Sequence, residues 1–406
     1  MLAGLPGGVD VAVVRDGDSW ILGVDPEERI TARGADALAA LDRLHSGWWA
    51  GFIAYDLGRA VERVRPRRPA VAAVPDLALA RFDTRLVIDD GGARVTGRGR
   101  SAPLLARLLG AAAGAPVPAP PALGPWVSDL TRPGFESRVR SALDLIEAGE
   151  CYQVNLTRRL TSPVRADPVA LFALLARRHP APHAALVRFG ELGVVSASPE
   201  RFLRRRGRYV ETRPIKGTAS DAGTLRASAK DRAENVMIVD LARNDLGRVC
   251  EFGSVAVPAL CAVESHPGLH HLVSTVTGTL RGDAGTVALL RATFPPASVT
   301  GAPKPRVLQA IEDLEVSPRG VYCGAVGWID AGRAELDLNV AIRTFVTSRR
   351  GTELGVGAGI VADSDPAAEW EETELKVARL LSATEPAPAA AGQRAGSTAT
   401  GSRRAW

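Results

Sequence analysis

Turns of only a few residues separate many strand-like runs of this chain and limit the folds open to it. Between two runs of β-forming residues, for example, lies only the segment Asp330-Ala331-Gly332-Arg333. Such a short turn can join antiparallel strands, whereas parallel strands need a crossover of about a dozen residues or more. Helical patterns are interspersed with these runs. We therefore predict an α+β fold with antiparallel sheets.

The spacing of apolar residues locates the individual elements. Steps of three and four predict helices at residues 104–113, 131–149, 168–178, 228–245, 285–293, 304–314 and 366–382. Runs of β-forming residues predict strands at 11–14, 52–55, 86–88, 152–160, 184–189, 193–197, 208–214, 271–280, 321–330, 334–346 and 353–362.

The chain of 406 residues is long enough for one large domain or two ordinary ones. We divide it into an N-terminal part (1–110), a linker or loop (111–125), a main region (126–384) and a tail (385–406). The linker is composed of Ala, Pro and Gly and carries no charge. The tail lacks periodicity, so we expect it to be disordered.

Composition argues against several classes of protein. The chain shows neither a secretory leader nor an apolar span, so we predict a cytoplasmic protein that binds no membrane. Its formal charge is +5, but the basic residues are spread out and aromatic residues make up only 5%, which argues against nucleic-acid binding. Two arginine clusters, Arg65 to Arg68 and Arg204 to Arg206, are predicted to be solvated. The four scattered cysteines indicate reduced thiols.

Lysine is nearly absent. Only four of the 50 Lys and Arg residues are lysine: Lys216, Lys230, Lys304 and Lys376. A lysine can lose its proton and attack an electrophile, whereas arginine stays charged. Lys216 lies between a strand-like run and a polar turn, where its side chain can be directed into a cleft. We therefore take it as a candidate nucleophile, the alternative being a surface lysine retained by chance.

Two predicted helices each carry a pair of carboxylates three residues apart: Asp231 with Glu234, and Glu369 with Glu372. That spacing puts both members of a pair on one helix face. If the two faces meet across a cleft, their oxygens suit Mg²⁺. Each pair considered alone is more simply a solvated helix face.

Two glycine-rich runs, 300–304 and 355–359, permit close approach of the backbone to a ligand. Neither is a phosphate-binding loop of the G-x-x-x-x-G-K-[ST] or G-x-G-x-x-G type. Arg343 and Lys376 can supply cations for a small anionic substrate. Of the adjacent His270 and His271, only one can face a site, because neighbouring strand residues point to opposite faces.

Several motifs occur together and in a characteristic order. They are residues 198–202 (SPERF), 213–218 (RPIKGT), 233–245 (AENVMIVDLARND), 271–274 (HLVS), 300–304 (TGAPK) and 357–364 (GAGIVADS). In this order the chain resembles the chorismate-utilising enzymes, and among them the aminodeoxychorismate synthase component I branch. The match runs from about residue 130 to 382, and residues 51–59 extend it into the N-terminal third. The aminating enzymes carry P-I-K-G-T at this chain's residues 214–218, whereas anthranilate synthases carry P-I-A-G-T.

The resemblance implies a two-sheet antiparallel β-sandwich with helices packed outside and the active site in the cleft between the halves. It assigns Lys216 as the nucleophile that attacks C2 of chorismate, and Glu200 as the acid that protonates the leaving 4-hydroxyl. His271 would lie near the pyruvyl side chain. The implied Mg²⁺ ligands are Glu234 and Glu372, with Asp231 and Glu369 contacting the ion directly or through water. The implied substrate-binding residues are Gly217, Thr218, Ser298, Arg343, Gly357, Gly359 and Lys376.

Some positions differ from those of relatives. Trp328 replaces a Tyr and would remove a hydroxyl donor to the pyruvyl carboxylate. Gln153 stands where isochorismate synthases have a water-activating lysine. No Leu-Leu-Glu-Ser-like element is present near the N-terminus, so we do not expect tryptophan inhibition.

The implied activity is that of the aminating subunit of aminodeoxychorismate synthase, in the supply of 4-aminobenzoate for folate or for a specialised pathway. Ammonia would come from a separate glutamine amidotransferase, because no cysteine lies in a Gly-x-Cys-x-Gly elbow. One alternative is anthranilate synthase component I, which Lys216 disfavours. Another is a non-catalytic, arginine-rich binding protein, which would need neither the paired carboxylates nor a retained lysine.

Overall fold

The computed structural model describes residues 2–69, 71, 73–111, 121, 123–266, 269–382 and 384. Most of the predicted linker and all of the predicted tail lie outside these residues, and the division of the chain at 110 and 126 stays a prediction. No described helix is long and apolar enough to cross a membrane.

The strands of the described residues, in chain order, are β1 (Val11–Asp16), β2 (Ser19–Val24), β3 (Glu28–Ala32), β4 (Trp48–Ile53), β5 (Leu77–Arg81), β6 (Thr84–Asp89), β7 (Gly92–Gly97), β8 (Val127–Ser128), β9 (Gln153–Ser162), β10 (His183–Phe189), β11 (Leu192–Ser198), β12 (Arg201–Arg206), β13 (Tyr209–Arg213), β14 (Ile215–Ala219), β15 (Ala256–His266), β16 (Leu269–Thr279), β17 (Gly301–Ala302), β18 (Ala325–Asp330), β19 (Glu335–Val340), β20 (Thr344–Ser348) and β21 (Gly351–Ile360).

The helices are α1 (Gly34–Asp42), α2 (Gly58–Val61), α3 (Ala102–Gly110), α4 (Arg132–Glu147), α5 (Pro168–Arg178), α6 (Ala222–Ala227), α7 (Ala229–Gly247), α8 (Thr286–Thr293), α9 (Lys304–Leu314) and α10 (Pro366–Ser382). Short 3₁₀ helices cover Leu2–Gly4, Tyr55–Leu57 and Ala297–Val299.

The strands form two antiparallel sheets. The first has the order β17-β9-β21-β20-β11-β10-β1-β2-β6-β7, with β8 beside β9. The second has the order β14-β16-β13-β12-β19-β18-β4-β5-β3, with β15 beside β16. Residues 11–97 contribute strands to both sheets, so the N-terminal third completes each layer. The predicted α+β class with two antiparallel sheets is confirmed.

Buried side chains of both sheets meet in a shared core. One cluster contains Val14 of β1 and Val187 of β10 from the first sheet, with Phe52 of β4 and Trp328 of β18 from the second. Burying such side chains stabilises the folded state by about 1.5–3 kcal/mol each. This core fixes the spacing between the sheets. The strands of the candidate site, β9, β21, β14 and β16, lie toward the β17 end of the first sheet and the β14 end of the second.

Capping residues set where several of the helices begin. Thr131 accepts a hydrogen bond from the Gly134 backbone N–H and begins α4. Ser228 accepts one from the Asp231 N–H and begins α7. Such caps contribute about 1 kcal/mol each. The Ser228 cap sets where α7 begins and thereby places Asp231, one of the predicted site residues, in its first turn.

The predicted strand 334–346 is wrong as a single element. Its residues form β19 and β20, which belong to different sheets. Arg343 lies in the connection with a φ of 51°, a left-handed conformation that a continuous strand does not adopt. Nine of the described strands were not predicted: β2, β3, β5, β7, β8, β12, β14, β15 and β17. Arginines obscure the pattern of β12, and β15 contains Pro258, a residue that usually indicates an edge or an interruption.

The prediction that both arginine clusters are solvated holds for Arg65 and Arg67, which are exposed, but is wrong for Arg68 and for the second cluster. Arg206 pairs with Asp16 at 2.8 Å, and Arg205 is only 8% exposed and donates to Thr286. Arg68 contacts Glu312 at 3.2 Å and is likewise shielded. These arginines join separate segments of the chain because their guanidinium groups can donate several hydrogen bonds each.

Candidate functional site

Lys216 lies on β14, in the second sheet, and its side chain reaches the first sheet. Its Nζ is 3.6 Å from Glu234 Oε2, and the side chain is only 14% exposed. A Cβ built on Gly359 would lie 3.2 Å from that Nζ and 3.4 Å from Gln153 Nε2. The amine therefore lies in a narrow space between the sheets, where any side chain at position 359 would crowd it.

The residues after Lys216 bring β14 against its neighbours. Gly217 has a φ of 85°, and a Cβ there would lie 2.9 Å from the Asp231 side chain. Thr218 Oγ1 is 2.9 Å from Nδ1 of His271, which is 3% exposed on β16. His270 instead approaches Ser265 at 2.9 Å on the other face. Only one of the two histidines faces the predicted site, as their alternation on a strand requires.

The predicted metal-binding carboxylates come from two helices that approach one another. Glu234 of α7 lies near Lys230 as well as Lys216. Glu372 of α10 contacts Lys376 at 2.6 Å. Burial raises the pKa of Glu372, but Lys376, with Lys230 and Lys216 farther away, lowers it to a net value below the usual range. Charges of α7 and α10 therefore act on the same carboxylate.

Glu369 is the most buried of the four carboxylates. It is 5% exposed and accepts a hydrogen bond of 2.6 Å from Ser364. Burial raises its pKa, and the neighbouring charge of Glu372 adds to the rise. A cation bound nearby would favour the charged form of this carboxyl group.

The oxygen donors of α7 and α10 are of the type that Mg²⁺ prefers. Among the described residues, no three His, Cys, Asp or Glu side chains are grouped closely enough to hold a metal ion. Lysine ammonium groups lie between the carboxylates instead. The donor chemistry fits Mg²⁺, and binding it would require Lys216 and Lys376 to give up their ion pairs.

Glu200 is a buried acid of this site. It is 4% exposed, and burial raises its pKa to about 7, although the Ser298 hydroxyl, Lys216, the Ile215 backbone and Arg343 act in the opposite direction. A carboxyl group with such a pKa can donate a proton near neutral pH. The structure thus brings Glu200, Ser298, Lys216 and Arg343 together.

The strand β21 provides the glycines of the opposite wall. Its pairing with β20 ends at Leu354, so Gly357 and Gly359 pair only with β9 among the described strands. Lys376 Nζ donates to the Gly357 carbonyl at 2.9 Å. The Lys376 side chain therefore lies against the β21 backbone at Gly357.

The other glycine-rich run does not form the expected ligand loop. Gly301 and Ala302 form the short strand β17 and pair with Val154 and Gln153. A Cβ on Gly301 would overlap the Gln153 carbonyl oxygen. Gly301 therefore permits close approach to another strand.

Trp328 does not contact the predicted site. Its ring stacks on Trp48 with centroids 6.2 Å apart, and the Arg206 guanidinium lies over it. The expectation that the Tyr-to-Trp difference removes a donor to the substrate is therefore wrong, because this position faces the shared core.

Gln153 was not among the predicted site residues, although its place in the sequence was noted. It is fully buried, and neither atom of its amide has a hydrogen-bond partner among the described residues. An unpaired buried amide costs about 1–3 kcal/mol. Its Nε2 faces the same position near Gly359 as Lys216 does, so a substrate or water could satisfy it. The signal available in the sequence was its position, at which the isochorismate synthases have a lysine.

Comparison with known proteins matches this arrangement to a family. The family model described as chorismate binding enzyme matches residues 12–382. The chain belongs to the chorismate-binding enzymes. It is thus an enzyme that uses chorismate, and the non-catalytic alternative is not supported.

Curated relatives narrow the comparison. Aminodeoxychorismate synthase component 1 of Klebsiella aerogenes is 41% identical over 342 residues, covering 82% of this chain and 76% of the relative. Anthranilate synthase component 1 of Streptomyces coelicolor is 38% identical over 394 residues, covering 89% and 77%. Among solved structures, anthranilate synthase component I from Streptococcus pneumoniae has a TM-score of 0.78 at 27% identity, covering 91% of this chain and 93% of that one.

Proposed function

We propose that this chain is the aminating subunit of an aminodeoxychorismate synthase, which converts chorismate and ammonia into 4-amino-4-deoxychorismate. The observation that carries the proposal is the position of Lys216, whose amine lies between the two sheets beside Glu234 and Gly359. Glu200, a buried acid, interacts with the same lysine. A nucleophilic amine and an acid in one site are the groups needed to replace a hydroxyl group through a covalent intermediate.

In the proposed reaction, neutral Lys216 attacks C2 of chorismate. Glu200 gives its proton to the 4-hydroxyl group, which leaves as water. Ammonia then attacks C4, the bond between C2 and the lysine breaks, and the Lys216 amine is regenerated.

Substrate carboxylates would be bound by cations and hydroxyl groups on three sides of the site. Arg343 and Lys376 supply positive charge, and Thr218, held by His271, supplies a hydroxyl donor. Glu234 and Glu372, with Asp231 and Glu369, would hold Mg²⁺. The bound ion would supply positive charge next to a substrate carboxylate.

Glutamine would require a partner. All four cysteines are buried, and none has the flanking glycines of an amidotransferase nucleophile. The Klebsiella aerogenes relative is named as a component 1, which is in keeping with a second subunit. We therefore propose that a separate glutamine amidotransferase supplies the ammonia.

Product analysis tests the activity. The purified chain is incubated with chorismate and Mg²⁺, together with either an ammonium salt or glutamine. With ammonium we expect 4-amino-4-deoxychorismate, converted to 4-aminobenzoate by an added lyase. Glutamine alone should give no product. Efficient use of glutamine without a partner would contradict the proposed division of labour.

Anthranilate synthase remains the second candidate, because the Streptomyces coelicolor relative is 38% identical. Lys216 distinguishes the two activities, since the anthranilate synthases have Ala at the matching position of the P-I-A-G-T motif. Anthranilate as the main product of the same incubation would favour this candidate.

A further inference from the structure

A small cavity lies beside Glu200, and Lys216 is not part of its lining. Its volume is about 20 Å³. One wall is α7, with Ala242 and Asp245, and the other is the segment 293–298, with Ala297 and Ser298. A cavity needs roughly 10–15 Å³ to hold one water molecule. This cavity therefore has room for a molecule of the size of water or ammonia.

The polar groups of the cavity suit a hydrogen-bond donor. Glu200 lies on one side, and Asp245, 8% exposed, lies on another. Phe202, Leu246 and Val340 make the remaining surface largely apolar. The Glu200 carboxyl group disfavours a bound anion, Asp245 is already paired with Lys304, and the free space suits a small molecule better than an organic substrate. A neutral or cationic nitrogen compound of minimal size fits both conditions.

Lys304 links the two walls of the cavity by hydrogen bonds. Its Nζ contacts Asp245 Oδ2 at 2.7 Å and the Thr293 carbonyl at 3.0 Å. Its side chain is 9% exposed, so this is a shielded contact. Lys304 therefore holds α7 at a set distance from the segment 293–298, which keeps the cavity small.

We propose that this cavity is the binding subsite for the nitrogen donor, ammonia or ammonium. The inference rests on the proposed amination. It adds the side of Glu200 from which the nitrogen donor approaches the substrate. After Glu200 has protonated the leaving hydroxyl, its carboxylate accepts a proton from ammonium. An N–H bond breaks and an O–H bond forms. The released ammonia attacks C4, the C2–lysine bond breaks, and Glu200 is again protonated for the next turnover.

Narrowing the cavity is the first test. Ala242→Val and Ala297→Val each add two methyl groups, one on each wall. Ala142→Val is the matched control, because Ala142 is buried in the same core cluster as Ala242 but does not line the cavity. At fixed pH we expect the KM for ammonium to rise at least tenfold in both cavity variants. The KM for chorismate and the yield of Lys216 adduct without ammonium should stay within twofold of the wild type.

Widening the cavity is the second test. It does not require the folded protein to accommodate a larger side chain. Ala242→Gly should raise the rate with methylamine relative to ammonia at least tenfold, giving a product 14 Da heavier. Ala142→Gly should leave that ratio unchanged.

Two results would contradict the proposal that this cavity is the nitrogen-donor subsite. One is an unchanged ammonium KM in both folded valine variants, which would mean that the cavity holds water only. The other is an unchanged methylamine ratio in Ala242→Gly. Failure of the wild-type chain to form an adduct and to aminate chorismate would instead contradict the proposed function, so the two failures are distinguished by the wild-type reaction.

Discussion

At the scale of single residues, the scarce lysines have specific positions. Lys216, Lys230 and Lys376 all act on the carboxylates of the candidate site, and Lys304 forms a shielded pair with Asp245 nearby. Arginine provides most of the positive charge elsewhere in the chain, and within the site Arg343 acts on Glu200. At Lys216, the neutral amine of lysine has chemistry that a guanidinium group cannot supply.

Lys216→Arg tests the nucleophile. The substitution keeps a positive charge near Glu234 but removes the amine that can attack carbon, so no covalent adduct with chorismate should form. Intact-mass measurement after incubation with chorismate detects the adduct. Lys230→Arg is the control, because Lys230 is 61% exposed and has no proposed covalent role. An adduct that persists in Lys216→Arg would assign the chemistry to another residue.

Glu200→Gln should change how stability depends on pH. Burial raises the pKa of Glu200 from 4.5 to about 7, so the folded protein binds an extra proton between these values. The stability present at low pH is lost as the pH rises through 7, by roughly 3 kcal/mol in total. Glutamine does not titrate. Relative to wild type, Glu200→Gln should therefore gain stability between pH 5 and 8, as measured by urea unfolding. Parallel pH profiles for the two proteins would refute the raised pKa.

At the scale of elements, α7 is held to the second sheet by a buried polar network. Asn235 donates to the Leu272 carbonyl at 3.1 Å and accepts a hydrogen bond from Ser274. The Ser274 N–H donates to the Pro214 carbonyl at 3.1 Å, two residues before Lys216. The network joins the helix that carries Glu234 to the strand that carries the candidate nucleophile, so their spacing is set by tertiary contacts.

Glu234→Gln and Glu372→Gln test the facing helices. Each substitution keeps side-chain volume and removes a charged oxygen donor, so half-maximal activity should require at least about tenfold more Mg²⁺. Glu371→Gln is the matched control on α10, because Glu371 is 62% exposed and pairs with Arg132. A magnesium titration of the amination rate measures the effect. Unchanged requirements in both test variants would show that these carboxylates do not bind the ion.

At the scale of the whole molecule, a buried ion pair helps to hold the two sheets together. Arg319 and Glu315, with side chains 1% and 2% exposed, lie 2.7 Å apart. Arg319 also donates to the carbonyl of Asn155 on β9, and its guanidinium lies over Tyr55, just after β4. The pair therefore contacts segments that adjoin both sheets.

Arg319→Met should destabilise the protein by about 3–5 kcal/mol, because it leaves the buried Glu315 carboxylate without its partner. Arg319→Met combined with Glu315→Met should cost less than the two single changes added together. Urea unfolding of the four proteins measures this coupling. Arg132→Met, which breaks exposed pairs, should cost less than about 1 kcal/mol. Strict additivity at the buried site would show that the two charges do not interact.

The sequence by itself determined many of the elements and proposed the residues of the candidate site. Predicted helices 168–178 and 304–314 coincide with α5 and α9, since their apolar spacing and flanking residues act locally. The short turn after Asp330 correctly indicated antiparallel pairing. Glu200 and Lys216 were found because their motifs are read directly from residue order, without knowledge of which strands pair.

Only the tertiary structure decided how distant segments meet. The break between β19 and β20 places consecutive residues in different sheets, and local patterns do not encode that change of layer. The pairing of Gly301 with β9, the unpaired amide of Gln153 and the cavity beside Glu200 likewise depend on strands far apart in sequence. Burial of Arg205 and Trp328 follows the same principle, because a side chain's environment is set by the surfaces packed against it.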